Sequence, residues 1–486
     1  MPITDKAANR SRAAGIAYLI FQPLTLNALS IPATAFIIRQ LGPLGYGQWA
    51  VAYSLVATVG FLTNLGLRTL FVRSAAQDPA RLPELLGEQI GLRLILGAGA
   101  VLLCLSACVA LRYPLVIVDC ALLSCGSMMV YVVATCFMDA LQSLDRIREF
   151  STAGFIAGIL VTVVTVAVAA RGGGPVALSA AYLTSPVVNL LALWRVVRRH
   201  IGPIHIRWRV ARFKALMSES RTLIWQGCLG AIQDRSEQLV LPKLAGVTAF
   251  GYYAAGALPS DRLGVIPDGL ETAFYPGIAR AAASSKDGAL KQTRNLLAVS
   301  LVTCVPIALL GFFLAKPMAV ILFRTHWQPC ATVIRITIWS LPLIGLSKSM
   351  RCGLNAVHAH DAGARAAAWA TVTGGCIAIM LMAVFGITGA AVGMVVRTAL
   401  AVLFLSAPFH RNFAGTLRQL PLVRIAICSG VMAAVLHLAT RSTLPALEAL
   451  LAAGVVSTLA YVASLLLLRI VEIPALLDLM RPASAE

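Results

Sequence analysis

The chain has 486 residues, of which 59% are hydrophobic and only 12% charged, and its formal net charge is +20. A soluble domain carries about a quarter charged residues. This composition therefore excludes an ordinary globular enzyme and implies an all-α polytopic membrane protein.

The N-terminus, MPITDKAANRSR, is basic and runs into an apolar stretch from Ala13 to Ile38. That stretch exceeds the roughly 7–15 residues of a signal-peptide core, so it is expected to stay as the first span. At about 20 apolar residues per span, the chain predicts about fourteen transmembrane helices. They fall at 14–38, 46–67, 90–111, 115–138, 150–170, 175–195, 222–244, 248–274, 295–322, 331–354, 364–385, 387–409, 421–440 and 446–468.

With a cytoplasmic N-terminus, most of the 40 Lys and Arg fall in the two tails and the even-to-odd loops. The opposite side holds few, such as Arg112, Arg171 and Lys316. This sidedness predicts both termini in the cytoplasm of a bacterial inner-membrane protein. It also explains most of the positive charge without nucleic acid. The most basic loop, RVVRRHIGPIHIRWRVARFK (195–214), is expected to face anionic headgroups of membrane lipids. The 11 cysteines show no zinc-type spacing and are expected as free buried thiols, with no metal or other cofactor. Outer loops are short, and no nucleotide, metalloprotease or nucleophile-elbow motif sits in a fitting context, which favours a transporter over an enzyme.

RQLGPLGYGQWAVA (39–52) aligns without gaps with KLAGVTAFGYYAAG (243–256). Gly42 meets Gly246, Tyr46 meets Phe250, Gly47 meets Gly251 and Trp49 meets Tyr253. Each copy lies at the outer turn between the first and second spans of a six-span block, so a parallel repeat is expected. The predicted organisation is two pseudo-symmetric six-helix lobes plus a C-terminal helix pair. The N-lobe (spans 1–6) covers 1–198, a basic cytoplasmic linker 199–221, the C-lobe (spans 7–12) 222–412, and spans 13–14 with a cytoplasmic tail 413–486.

IIRQLGPLGYGQWAVAYSL (37–55), FLTNLGLRTLFVR (61–73), DRSEQLVLPKLAGVTAFGYYAAG (234–256), AFYPGIAR (273–280) and FGITGAAVGMVV (385–396) follow in order. Together they resemble the polysaccharide and oligosaccharide flippases, in the superfamily of the MATE drug exporters and the lipid II flippases. The resemblance covers spans 1–12 and implies a MATE-like fold. It implies translocation of a polyprenyl-diphosphate-linked oligosaccharide across the inner membrane by alternating access, with a site between the lobes. A polysaccharide polymerase is a conceivable partner. The resemblance also implies Asp where this chain has Asn64, so any coupling ion, H+ or Na+, would act through other groups.

Charged residues inside spans cost about 3 kcal/mol each if they face lipid, so a set of them implies a cavity. Candidate substrate-binding cations are Arg235, Arg262, Arg335, Lys348 and Arg397, with Arg39 and Arg68 as candidates at the cavity mouth. Guanidinium forks match the oxygens of a diphosphate. Asp234, Glu237 and Asp261 are candidates for charge balance or proton coupling. Gln226 and Gln233 share a helical stripe with Asp234 and Glu237, and Asn27, Asn64 and Asn189 are candidate polar lining or helix-bridging groups. Two other classes stay open: a multidrug or cation exporter on the same fold, and a membrane glycosyltransferase or polymerase. The first needs an acidic, aromatic pocket, and the second needs a large outer loop.

Overall fold

The structure is a computed structural model that describes residues 3–65, 67–78, 81–144, 146–204, 206, 235–323, 328–416, 419–441 and 446–467. Every regular element among these residues is helical. Among the described residues, seven helices are long and apolar enough to cross a membrane. Large apolar side chains such as Leu102 (71% exposed) and Leu115 (79%) stand on their outer faces, while Arg93, Asp139 and Glu237 are buried. Apolar surface outside with polar groups inside is the arrangement a lipid solvent demands.

The chain divides into two compact units, Met1–Ala254 and Ala255–Glu486. In the first, α1 (Ile3–Val59) holds two predicted spans in one helical run. They are separated at Gly42, whose φ of +68° only glycine adopts at little cost. A 3₁₀ turn (Gly60–Thr63) and Asn64 lead into α2 (Leu67–Gln77). Then follow α3 (Leu82–Ala110), α4 (Leu115–Ser143), α5 (Ile147–Ala170), α6 (Pro175–Tyr182) and α7 (Thr184–His200). Helix α4 is central and packs against α1, α3, α6 and α7. Its small buried residues, Cys120, Ala121, Cys125, Ala134 and Cys136, permit that close approach.

Several boundaries differ from the sequence expectation; span 2 ends with α1 at Val59, short of the predicted 67. Span 3 begins at Leu82, ahead of the predicted 90, and span 4 runs on to Ser143, beyond the predicted 138. Span 4 outlasts its apolar run at Asp139, which pairs inside the protein with Arg93 of α3. The predicted linker 199–221 lies largely outside the described residues, and the division between units falls within helix α8 (Val247–Leu263).

The repeated turn is visible in the backbone. Gly246 has φ +88°, matching Gly42 at +68°, and Tyr46 and Phe250 are both buried. The two turns touch: a Cβ on Gly47 would lie 2.3 Å from the Val247 carbonyl oxygen, and one on Gly251 only 2.0 Å from that of Pro43.

The second unit continues with α9 (Val265–Ser284), α10 (Lys286–Phe323), α11 (Gln328–Thr337), α12 (Ser340–Ala356) and α13 (His360–Asn412). Helix α13 holds predicted spans 11 and 12, separated at Gly386 with φ +55°. The final pair, α14 (Leu422–Arg441) and α15 (Ala446–Leu467), packs together and onto α10. Tyr461 Oη donates to the Val302 carbonyl at 3.0 Å across that seam.

Candidate substrate cavity

A cavity of about 580 Å³ lies among the helices of the first unit. One wall is aromatic: Trp49 and Tyr53 of α1, Tyr131 of α4 and Tyr182 of α6. Another is charged and polar, formed by Asn64, Arg68, Arg93, Thr135, Asp139 and Gln142.

The polar wall is one connected network. Asn64 follows the 3₁₀ turn and caps α2, its Oδ1 accepting from the Arg68 backbone N–H at 3.2 Å. Arg93 Nη2 donates to Asp139 Oδ2 at 2.9 Å and to Asn64 Oδ1 at 3.0 Å. Its Nη1 donates to Thr135 Oγ1 at 3.1 Å. Gln89 Nε2 reaches Asp139 Oδ2 at 3.1 Å, on the same face of α3 one turn earlier. On the other side, Arg68 Nε lies 3.2 Å from Asp139 Oδ1, and its Nη2 donates to Gln142 Oε1 at 2.8 Å.

Burial separates the two arginines. The Arg93 and Asp139 side chains are each 4% exposed, whereas Arg68 is 56% exposed. Two guanidiniums around one carboxylate leave a net positive charge, and Arg68 is the member that presents it. A half-desolvated guanidinium beside a recessed carboxylate can exchange partners: an anion entering the cavity competes with Asp139 for the Arg68 fork.

Of the sequence candidates, the structure brings Asn64 and Arg68 to this cavity. Arg235 lies in the helical segment 235–244; its Nη1 donates to Gln238 Oε1 at 2.9 Å and its guanidinium sits 5.9 Å from the Tyr53 ring centre. Gln238 Oε1 also accepts from Ser54 of α1 at 2.9 Å, which ties that segment to the aromatic wall's helix. Glu237 is buried beside Ser236, whose Oγ donates to it at 3.1 Å. Arg39 is exposed on α1, before Gly42. Asn27 lies half-buried on α1, with its backbone carbonyl accepting from Ser30, and Asn189 is buried on α7. Gln226, Gln233 and Asp234 lie outside the described residues.

The cations of the second unit have separate settings. Lys348 pairs with Asp268. Arg397 is buried on α13, packed so closely on Gly374 that a Cβ there would meet it at 2.8 Å. Arg335 is exposed at the end of α11, and Asp261 and Arg262 sit exposed and half-buried in the last turn of α8.

Sequence reasoning missed Gln89, Arg93, Asp139 and Gln142. Arg93 lay near the start of its predicted span without being singled out, and Asp139 fell one residue past its own. The available signal was spacing: Gln89 and Arg93, four apart, and Asp139 and Gln142, three apart, each put two polar groups on one helix face.

These features define a multi-pass membrane transporter fold with a polar cavity. The sequence profile described as "Polysaccharide biosynthesis protein" matches residues 36–332, more than half of the chain. The chain belongs to that family. No curated protein sequence matches it. Among solved structures it is similar to lipid II flippase MurJ in an inward closed conformation, at 14% identity and a TM-score of 0.66, covering 94% of this chain and 100% of that one. It is also similar to an inward-facing multidrug resistance MATE family transporter, at 13% identity and a TM-score of 0.58, covering 83% and 96%. A Vibrio cholerae MATE transporter matches at 15% identity and a TM-score of 0.53, covering 82% and 95%. Those likenesses establish the polytopic, all-helical MATE-like fold.

Proposed function

We propose that this protein is a flippase that moves a polyprenyl-diphosphate-linked oligosaccharide across the bacterial inner membrane for surface polysaccharide synthesis. The family membership supports a role in polysaccharide biosynthesis, and the fold is that of membrane transporters, including one that flips lipid II. The observation that carries the substrate class is the charge of the cavity: Arg68 and Arg93 flank the single carboxylate of Asp139. A diphosphate must shed water to cross, and a guanidinium fork in a low-dielectric wall replaces that hydration. A cationic drug would meet net positive charge at this wall, which disfavours the multidrug exporter.

Transport proceeds in this proposal by alternating access, with both termini in the cytoplasm. The cations Arg262, Arg335, Lys348 and Arg397 are proposed to serve later stages of the anion's path. Asp139, Glu237 and Asp261 are proposed as carboxylates that couple transport to H+ or Na+. A polymerase that consumes the flipped unit is the proposed functional partner.

The test is deletion and complementation. Loss of the gene is expected to abolish surface polysaccharide while lipid-linked repeat units accumulate inside. Wild type should restore export and Arg68→Ala should not. Normal polysaccharide with altered sensitivity to cationic drugs would overturn the flippase in favour of the exporter.

A further inference from the structure

The helical segment 235–244 is tied to the rest of the first unit at both ends. At one end Arg235 lies over the Tyr53 ring and shares Gln238 with Ser54 of α1. At the other, Lys243 Nζ donates to the Leu111 carbonyl at the end of α3 and sits 3.8 Å from the centre of the Tyr113 ring. The helix between the two ties is about 12 Å long. Directly after Lys243 the two repeated turns meet backbone to backbone, Gly47 on Val247 and Gly251 on Pro43.

The dock for Lys243 is built on a strained backbone. Helix α3 ends with the Arg112 N–H on the Val109 carbonyl at 2.9 Å and the Tyr113 N–H on that of Cys108 at 3.1 Å. Such an ending needs a left-handed residue just past the cap, usually glycine. Helices α5 and α7 supply Gly172 (φ +75°) and Gly202 (φ +88°) there, whereas α3 holds Arg112 at φ +50°. The ending leaves the Leu111 carbonyl without an intrahelical donor and sets Tyr113, only 8% exposed, next to it. An ammonium suits both groups, because the last carbonyls of a helix and the face of an aromatic ring each carry partial negative charge. Strain kept at one helix end and avoided at its neighbours points to a contact that this geometry serves.

We infer that Lys243 is the latch of a strap, residues 235–244, that ties α1 to α3 and holds the first unit's cavity closed at its extracytoplasmic end. The cavity follows α1 from Trp49, close to the repeated turn, down to Asn64 and Arg68 at the other end. The strap grips this wall at Tyr53 and Ser54, on the side of the turn, while Arg68 at the far end is more than half exposed. In the proposed topology the turn faces outward and Arg68 inward. The latch is reversible because Lys243 is exposed and both of its docking partners are neutral. Its release therefore returns the ammonium to water and leaves no buried charge behind. This closure is independent of what the cavity carries, so it stands apart from the flippase proposal.

The test labels lysines with a membrane-impermeant amine-acylating reagent on right-side-out membrane vesicles and reads each site by mass spectrometry. Lys316, exposed on α10 and expected on the same side, is the reference for an unlatched amine. Lys243 is expected to react to completion but about tenfold more slowly than Lys316, because its amine is available only when the strap lifts. Tyr113→Leu removes the aromatic face and should bring Lys243 close to the reference rate. If Tyr113→Leu does not fold, hydrogen exchange of the purified full chain replaces it. There Lys243→Gln, at an exposed site, should raise exchange about tenfold over 235–252 and leave α5 unchanged. Lys243 reacting as fast as Lys316, never reacting, or reacting only in inside-out vesicles would overturn the latch. So would a rate unmoved by Tyr113→Leu, or wild-type exchange in Lys243→Gln.

Discussion

Arg93 and Asp139 meet at 2.9 Å with both side chains 4% exposed, on the membrane-length helices α3 and α4. Removing one member of such a pair leaves the other charge uncompensated. Arg93→Met is expected to destabilise by about 3–5 kcal/mol, read as a lower thermal midpoint in detergent. Replacing both, Arg93→Met with Asp139→Leu, should recover part of that loss. Equal stability of the single variant and wild type would show that the pair is solvated.

Arg68 should behave in the opposite way. It is more than half exposed, so its contact with Asp139 contributes at most about 1 kcal/mol to stability. Arg68→Ala is expected to fold and insert normally yet accumulate lipid-linked intermediates in cells. Arg68→Lys should rescue only partly, because an ammonium cannot offer the planar fork. Full rescue by lysine would reduce the role of Arg68 to charge alone.

Glycine substitutions at the repeated turns separate two causes. Gly42→Ala meets no atom within 4 Å but must hold φ +68°, a strain of about 1–2 kcal/mol. Gly47→Ala and Gly251→Ala have ordinary dihedrals, yet their Cβ atoms would strike backbone carbonyls that cannot rotate away. Overpacking there is expected to cost about 1–3 kcal/mol or more. Thermal midpoints of the three variants test this, and an unaffected Gly251→Ala would show that the turns do not stay in contact.

Gly374→Ala probes the buried arginine of the second unit without touching its charge. The new methyl would displace the Arg397 side chain, whose Cγ, Cα and Cβ all lie within about 3 Å of it. Export should fall in parallel with Arg397→Ala, measured as accumulated lipid-linked intermediate. A silent Gly374→Ala beside an inactive Arg397→Ala would mean that Arg397 acts from a position the methyl does not disturb.

Much of the architecture was legible in the chain. Long apolar runs specify membrane helices because lipid offers no other partner for the backbone. The breaks at Gly42 and Gly386 were marked by glycines, the residues that turn left without strain, and the offset match of Gly42 with Gly246 reported the repeat. Asn64 stood out as a polar residue inside a predicted span, and Arg68 as a cation just past it.

The network that joins them was not legible. Hydropathy ends a predicted span where charge begins, so Asp139 fell just outside span 4, and Arg93, near the start of span 3, was not matched with it. A charge continues a membrane helix only when another charge lies opposite, and 46 positions separate this pair in sequence. The sequence by itself determined that this chain would be a bundle of membrane helices with repeated glycine turns, because those properties depend on local composition and backbone freedom. Only the tertiary structure decided that α2, α3 and α4 would bring two guanidiniums to one carboxylate, and that Trp49 would face a cavity while its repeat partner Tyr253 is buried. Those outcomes depend on how each helix is rotated against its neighbours, which packing sets and no single helix encodes.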